Sequence, residues 1–509
     1  MELLPSMMEA LATLATPQTL LYLALGVIAG IAIGVVPGVG GTTGMAILLP
    51  LAVGIDQTAA LAMMIGVLAA TSTADTFAAV LFAIPGSSSS QATILDGHPM
   101  AKRGEAGRAL GAAFSASFIG GLLGVIILTL VIVWSRPVIL TFQSPELFML
   151  GLLGMSMVAV LSGRDPIRGL VSASLGLMIG MVGMDGFTGS VRWNFDSLYL
   201  FDGISLIVVA LGIFALPEII GLMVRGTSIS SERVALGGGL LRGMGDTLRH
   251  KFLVLRTAVL GVGVGMLPGL GGSVVDWFAY GHALQTEKGA RDSFGKGDIR
   301  GVIGVDAATN AKDGGTLVPT LLFGIPGSTP MALLIGLFVM QGLQPGPRMV
   351  TEHLDITYSM LWSLGLAQVL VFVLCGALAY QIAKITQVPF HRLAPAILVV
   401  IAFAAYQATR SSGDLVLLVV IALLGWFMKL YAWPRPPLVL GMVLSPLLER
   451  YLFISDTRYG AAWMGRPIVI IVGVLTIFSL LYGLWGMIRP RRDVAAEVSS
   501  QTYRDPEAS

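Results

Sequence analysis

The sequence predicts an all-α polytopic membrane protein. We expect about 10–12 transmembrane segments in two internal, inverted repeats with broken helices and re-entrant hairpins. Three observations carry this reading. Of 509 residues, 55% are hydrophobic and 12% charged, about half the charged share of a soluble domain. Apolar runs near membrane-spanning length recur, such as Leu20 to Val36, Gly111 to Trp134 and Ile204 to Val224. Two proline–glycine motifs also occur twice, in the same order. Pro37-Gly38-Val39-Gly40-Gly41 returns as Pro268-Gly269-Leu270-Gly271-Gly272, and Ile84-Pro85-Gly86-Ser87 returns as Ile325-Pro326-Gly327-Ser328.

These pairs divide the chain. Residues 1–17 form an N-terminal segment without lysine or arginine, and so without the basic region of a signal peptide. The first transmembrane repeat is expected over 18–224, a cytoplasmic connecting loop over 225–251, the second repeat over 252–488 and a polar tail over 489–509. The first motif recurs at an offset of 231 residues and the second at 241, which places a ten-residue insertion in the charged loop Gln285 to Gly301. Lysine and arginine are absent from 1–101 and concentrated in 225–251, and Lys102, Arg103 and Arg108 contrast with a lone Arg348 in the matching loop. The positive-inside rule then puts the N-terminus outside and turns the halves in opposite directions.

Each Pro-Gly-x-Gly-Gly motif breaks a helix inside an apolar run, which leaves backbone N–H and C=O groups needing partners where there is no water. Gly38, Gly40, Gly41, Gly269, Gly271 and Gly272 let the backbone approach a ligand, and Thr42, Thr43 and Ser273 add hydroxyls. A helix restarting there offers free amides and a positive dipole end to an anion. A kink, or glycines for close helix packing, is the competing explanation. The second motif supplies Pro85, Gly86, Ser87 and Ser88 in one half and Pro326, Gly327, Ser328 and Thr329 in the other. It reads as a hairpin tip with hydroxyl and amide donors, or otherwise as a polar surface loop.

Two polar clusters precede these hairpins. Thr71 to Thr76 contains Ser72, Thr73 and Asp75; Asp306 to Thr316 contains Thr309, Asn310, Lys312 and Asp313. Ionisable groups at bilayer depth are costly and by default functional. Asn310 and Lys312 are candidate substrate contacts, and Ser72, Thr73, Asp75, Thr309 and Asp313 are candidate ligands for a coupling Na⁺ or H⁺, with interfacial loops as the alternative. Asp276 reads as structural. Asp96 to Arg103 reads as a cytoplasmic turn whose His98 lacks a second metal ligand. No phosphate loop, His-Glu-x-x-His or Gly-x-Ser-x-Gly motif occurs, so neither an enzyme nor a cofactor is expected. The single cysteine, Cys375, lies in an apolar run, and a net charge of +2 gives no reason to expect nucleic acid.

From about residue 15 to about residue 490 the chain resembles the large membrane permease subunit of the tripartite tricarboxylate transporters (TctA-type). The resemblance rests on the four motifs, on Asp96-Gly97-His98-Pro99-Met100-Ala101-Lys102-Arg103-Gly104 with Gly107 to Leu110, on Ala279-Tyr280-Gly281 and on Gly342 to Pro347. It implies a multi-pass protein of the bacterial inner membrane that imports a tricarboxylate or related organic acid on a Na⁺ or H⁺ gradient. It further implies two partners, a small four-helix membrane subunit and a periplasmic solute-binding protein. An anion channel or a stand-alone organic anion carrier would be the alternatives. Two stretches depart from the family pattern. Asp306 to Asp313 replaces a Glu-Ala-Ala-Asn-Asn-Ala-like run, and Ser72-Thr73-Ala74-Asp75 replaces a Tyr/Gly-rich one.

Overall fold

Apolar runs interrupted by proline and glycine fold as a chain of long and short helices. The computed structural model describes residues 3–161, 165–186, 188–225, 238–385 and 390–488. In order these form α1 (Leu3–Leu14), α2 (Pro17–Gly34), α3 (Gly40–Ala52), α4 (Gln57–Phe82), α5 (Thr93–Lys102), α6 (Ala106–Ile139), α7 (Ser144–Leu161) and α8 (Pro166–Gly180). A two-residue pairing follows, β1 (Gly183–Met184) with β2 (Val191–Arg192). Then come α9 (Leu206–Ala210) and α10 (Leu216–Arg225), joined by a π-helical turn at Leu211–Ala215. The rest is α11 (Leu240–Arg249), α12 (Lys251–Gly265), α13 (Gly271–Thr286), α14 (Ala290–Ser293), α15 (Ile299–Phe323), α16 (Thr329–Met340), α17 (Leu354–Ala377), α18 (Ala379–Ile385), α19 (Phe390–Thr409), α20 (Ser412–Leu430), α21 (Pro436–Tyr459) and α22 (Pro467–Ile488).

Seven described helical segments are long and apolar enough to cross a membrane, and six shorter apolar helices accompany them. Among the shorter ones, α3 and α16 have 13 and 12 residues. At about 1.5 Å per residue, each reaches roughly two-thirds of the way through a hydrocarbon core of about 30 Å.

Local chemistry sets the boundaries. Thr16 caps α2 ahead of Pro17, Asp56 caps α4 through the amides of Thr58 and Ala59, and Asp298 caps α15 through that of Arg300. Helices α4 and α15 both end in a left-handed residue, Ala83 (φ 55°) and Gly324 (φ 68°), just before an Ile-Pro-Gly-Ser motif. Both Pro-Gly breaks turn through a left-handed glycine, Gly38 (φ 80°) and Gly269 (φ 87°).

The packing recurs at the motif offsets. Helix α2 lies on α4 so closely that a Cβ on Gly30 would come within 3.0 Å of Val67 Cα. Helix α12 lies on α15 in the same way, a Cβ on Gly261 falling 2.8 Å from Ala308 Cα. The second motif repeats this. A Cβ on Gly86 would sit 2.7 Å from Asp75 Cα, and one on Gly327 would sit 2.7 Å from Thr316 Cα. Helix α4 also packs on α17, and α15 on α6, so each glycine-bound pair is covered by a helix of the other half.

Some local expectations change. Asp96 to Arg103 is not a turn: Thr93–Lys102 is helical, with Asp96 fully buried. For the polar clusters the alternative of interfacial loops falls away: they sit within α4 and α15, helices of 26 and 25 residues. The Ile-Pro-Gly-Ser motifs thus follow long helices. The extra length of the second half lies where the offsets place it: residues 53–56 join α3 to α4, whereas 287–298 separate α13 from α15. Residues 226–237 of the expected connecting loop, and the tail 489–509, lie outside the described residues.

Candidate functional site

After Gly34 the chain turns at Gly38 and restarts as α3 at Gly40, where the first amides of a helix have no partners within it. The Gly38 amide donates to the Gly86 carbonyl at 3.0 Å, which ties the first break to the first Ile-Pro-Gly-Ser loop. In that loop the Ser87 hydroxyl donates to Asp75 and accepts from the Ser89 amide at 3.0 Å. Ser89 in turn presses on the second break, because a Cβ on Gly272 would overlap its Oγ. The four motifs therefore converge.

They enclose a cavity of about 370 Å³, within the range of small-molecule sites. Among the expected site residues, its lining includes Gly38, Gly40, Gly41, Thr42, Thr43, Ser87 and Ser88 from the first half and Gly269, Gly272, Ser328 and Thr329 from the second. Ser72 of α4 and Lys312 of α15 also face it. Pro85, Gly86 and Gly327 shape the turns behind the wall, and Pro326 lines a small adjoining space with Gly269 and Ser328. Of the remaining motif residues, Gly271 and Ser273 lie outside the described side chains.

The remaining candidates lie behind the cavity, between α4, α15 and α17. Asn310 donates to Thr73 Oγ1 at 2.7 Å and to Gln368 Oε1 at 3.0 Å. Thr309 donates to the Ser89 carbonyl at 3.3 Å. Lys312 Nζ lies 2.9 Å from Asp313 Oδ1, with both side chains buried. Among the described residues, buried Asn310 Oδ1 and Asp313 Oδ2 have no hydrogen-bond partner within bonding geometry, a cost that a bound cation would relieve. Asp306 accepts from Thr76 at 2.7 Å and Thr93 at 3.2 Å, and Asp276 accepts from the Ala92 amide at 3.1 Å. Those two acids join the halves structurally.

Away from the cavity, Asp96 Oδ1 accepts from the amides of Gly297 and Asp298, both at 2.8 Å, and Oδ2 accepts from Tyr280 at 2.9 Å. Arg103 donates to the carbonyls of Lys296 and Gly297. Burial acts to raise Asp298, but hydrogen bonds from Arg300 and Ser293 outweigh it and hold the carboxyl below its usual range.

Sequence reasoning missed Glu218 and Arg435, both of which line the cavity, and Gln368 behind it. A signal existed for Glu218, an acid in the apolar run Ile204 to Val224. Arg435 stands between two prolines in what reads as an ordinary connection, so nothing local marked it.

The sequence model of the tripartite tricarboxylate transporter TctA family matches residues 20–440. An uncharacterized 52.8 kDa protein in the TAR-I ttuC' 3' region of Agrobacterium vitis is 31% identical over 502 residues, covering 97% of this chain and 98% of that one. An uncharacterized protein in the TAR-II ttuC' 3' region of the same organism is 29% identical over 233 residues, 45% of this chain and 96% of that one. No solved structure matches the chain.

Proposed function

The chain belongs to the tripartite tricarboxylate transporter TctA family, a multi-pass membrane family of large transporter subunits, and from that premise we propose that it imports a carboxylate as the permease of a binding-protein-dependent secondary transporter. The observation that carries the proposal is the single cavity lined by both Pro-Gly-x-Gly-Gly breaks and both Ile-Pro-Gly-Ser loops. Helix-start amides and hydroxyls suit carboxylate oxygens, and Lys312 adds a cation already balanced by Asp313. The repeated motifs and the Lys312–Asp313 pair therefore offer a carboxylate donors without adding net charge.

A Na⁺ or H⁺ gradient supplies the work in this reading. The coupling ion occupies the polar layer behind the cavity, where Thr73, Asp75, Thr309 and Asp313 present oxygens, with Ser72 on the wall between that layer and the cavity. The recurring glycine contacts support two repeated halves, which in this reading are inverted and rock about the cavity in alternating access. The partners are a small four-helix membrane subunit and a periplasmic solute-binding protein, and the site of action is the bacterial inner membrane.

The test is uptake of radiolabelled citrate and succinate into cells carrying the chain with its partner subunits. Accumulation should need the binding protein and vanish when the Na⁺ and H⁺ gradients are both collapsed. Unitary currents without gradient-coupled accumulation would replace the proposal with an anion channel. Uptake without the binding protein would replace it with a stand-alone carrier.

A further inference from the structure

The cavity has a charged wall that belongs to none of the repeated motifs. Glu218 of α10 lies between two cations: Lys429 Nζ of α20 at 2.6 Å from Oε2, and Arg435 Nη2 at 2.8 Å from Oε1. Glu218 and Arg435 both face the cavity. Formally this triad carries one net positive charge, whereas the Lys312–Asp313 pair carries none. With each lining cation counted together with its ion-pair partners, the net positive charge comes from the Glu218 triad, whose Lys429 is not among the described lining residues, and not from the Lys312–Asp313 pair.

The geometry around Arg435 is built. Its Nη1 donates to the Ile213 carbonyl at 3.1 Å, within the π-helical turn Leu211–Ala215. A π-turn shifts the helical hydrogen-bond register and is frequently found at functional positions. The guanidinium lies 5.7 Å from the centre of the Phe214 ring, itself a cavity residue, and Pro436 and Pro437 follow it at the start of α21. Among the described residues its hydrogen bonds go to Ile213 and Glu218, while a guanidinium carries five N–H donors.

We infer that Arg435 is a substrate-contacting residue that exchanges Glu218 for a substrate carboxylate. Lys429 holds Glu218 as Arg435 turns its fork to the ligand. Glu218 is then a built-in competitor: it keeps Arg435 neutralised in the empty cavity and sets how tightly an anion is held. The inference rests on the carboxylate reading above and adds the residues that set affinity. Arg435 is suited to this because a guanidinium grips a carboxylate with two parallel bonds.

The test is equilibrium binding of succinate and citrate to the full chain in nanodiscs by calorimetry. Arg435→Gln should weaken binding at least about tenfold and Arg435→Lys by less, since charge is kept and the fork lost. Glu218→Gln should tighten binding about threefold or more, because the competing carboxylate is gone. These opposite directions separate ligand exchange from a mere staple between α10, α20 and α21. A staple would lower the melting temperature of both variants and leave their affinities equal to wild type. Unchanged affinity in Arg435→Gln, or weaker binding in Glu218→Gln, would overturn the inference alone. Should Arg435→Gln not fold, Arg435→Lys and Glu218→Gln decide. Failure of either acid to bind the wild-type chain at millimolar concentration would overturn the carboxylate reading and this inference with it.

Discussion

Helices α4 and α15 occupy matching positions, yet they carry different chemistry. Both pack on a neighbouring helix through glycine, both end in a left-handed residue, and both are followed by Ile-Pro-Gly-Ser. At the offset of 241 residues, Thr71 and Ser72 correspond to Lys312 and Asp313, and Asp75 corresponds to Thr316. One limb places its acid under the loop, held by Ser87; the other places an ion pair one turn earlier, with Lys312 on the cavity wall. The backbone frame is shared and the polar content is not. Specific chemistry has been placed on a frame that does not require it.

The strongest test of that contrast is charge removal. Asp313→Asn strands Lys312 in the interior and should cost about 3–5 kcal/mol, whereas Ser72→Ala at the matching position should cost about 1 kcal/mol or less. Thermal unfolding in detergent, followed by size-exclusion chromatography, measures both. Equal losses would break the contrast. Replacing the pair together, Lys312→Met with Asp313→Leu, should restore folding but not uptake; retained uptake would show that the pair is scaffold.

The frame itself is tested by Gly86→Ala and Gly327→Ala. Each new methyl meets helix backbone at a similar distance, so each should destabilise by about 1–3 kcal/mol and by nearly the same amount. A clear difference between the two would show that the frames are not equivalent.

A smaller effect is expected at the loops. Ser87→Ala and Ser328→Ala should both raise the apparent KM for uptake. Ser87→Ala should do so more, by about threefold to tenfold, because it also removes the hydrogen bond to Asp75. An unchanged KM would place the loops outside the site.

The smallest effects belong to the caps. Asp56→Ala should cost about 1 kcal/mol, and Asp298→Ala somewhat more, because Asp298 also pairs with Arg300 at 2.6 Å. Asp298 titrates below its usual range, so its stabilisation is complete above the unfolded-state value of about 4 and declines as pH falls through the lower folded value. An acid-unfolding curve in which Asp298→Ala removes no pH dependence would refute this.

Much of the frame could be read from residue order. Proline and glycine act locally, so the breaks at Pro37 and Pro268 and the insertion before α15 follow from the chain alone. Convergence of the four motifs on one cavity was also within reach, because duplication at fixed offsets constrains two places at once. The Arg435 wall was not, since Glu218, Lys429 and Arg435 meet only through the packing of α10, α20 and α21. Nor could the sequence separate the cavity wall from the layer behind it. Thr73 and Ser72 are neighbours in α4, yet only Ser72 faces the opening. The misread stretch at Asp96 has the same origin: a Gly-His-Pro run resembles a turn until buried partners from 280–298 hold it helical.

The close seating of α2 on α4 and of α12 on α15 has a consequence for how such a molecule can change its cargo. Contacts made by glycine against backbone do not depend on which side chains the partner helix points elsewhere. Substitutions along the polar faces of α4 and α15 therefore leave the seam intact. A lineage can exchange a hydroxyl for an acid, or a threonine for a lysine, without rebuilding the joint that carries it. Novelty in what is carried and persistence in how it is carried become separable, and a designer seeking a new specificity should vary the faces and spare the seams.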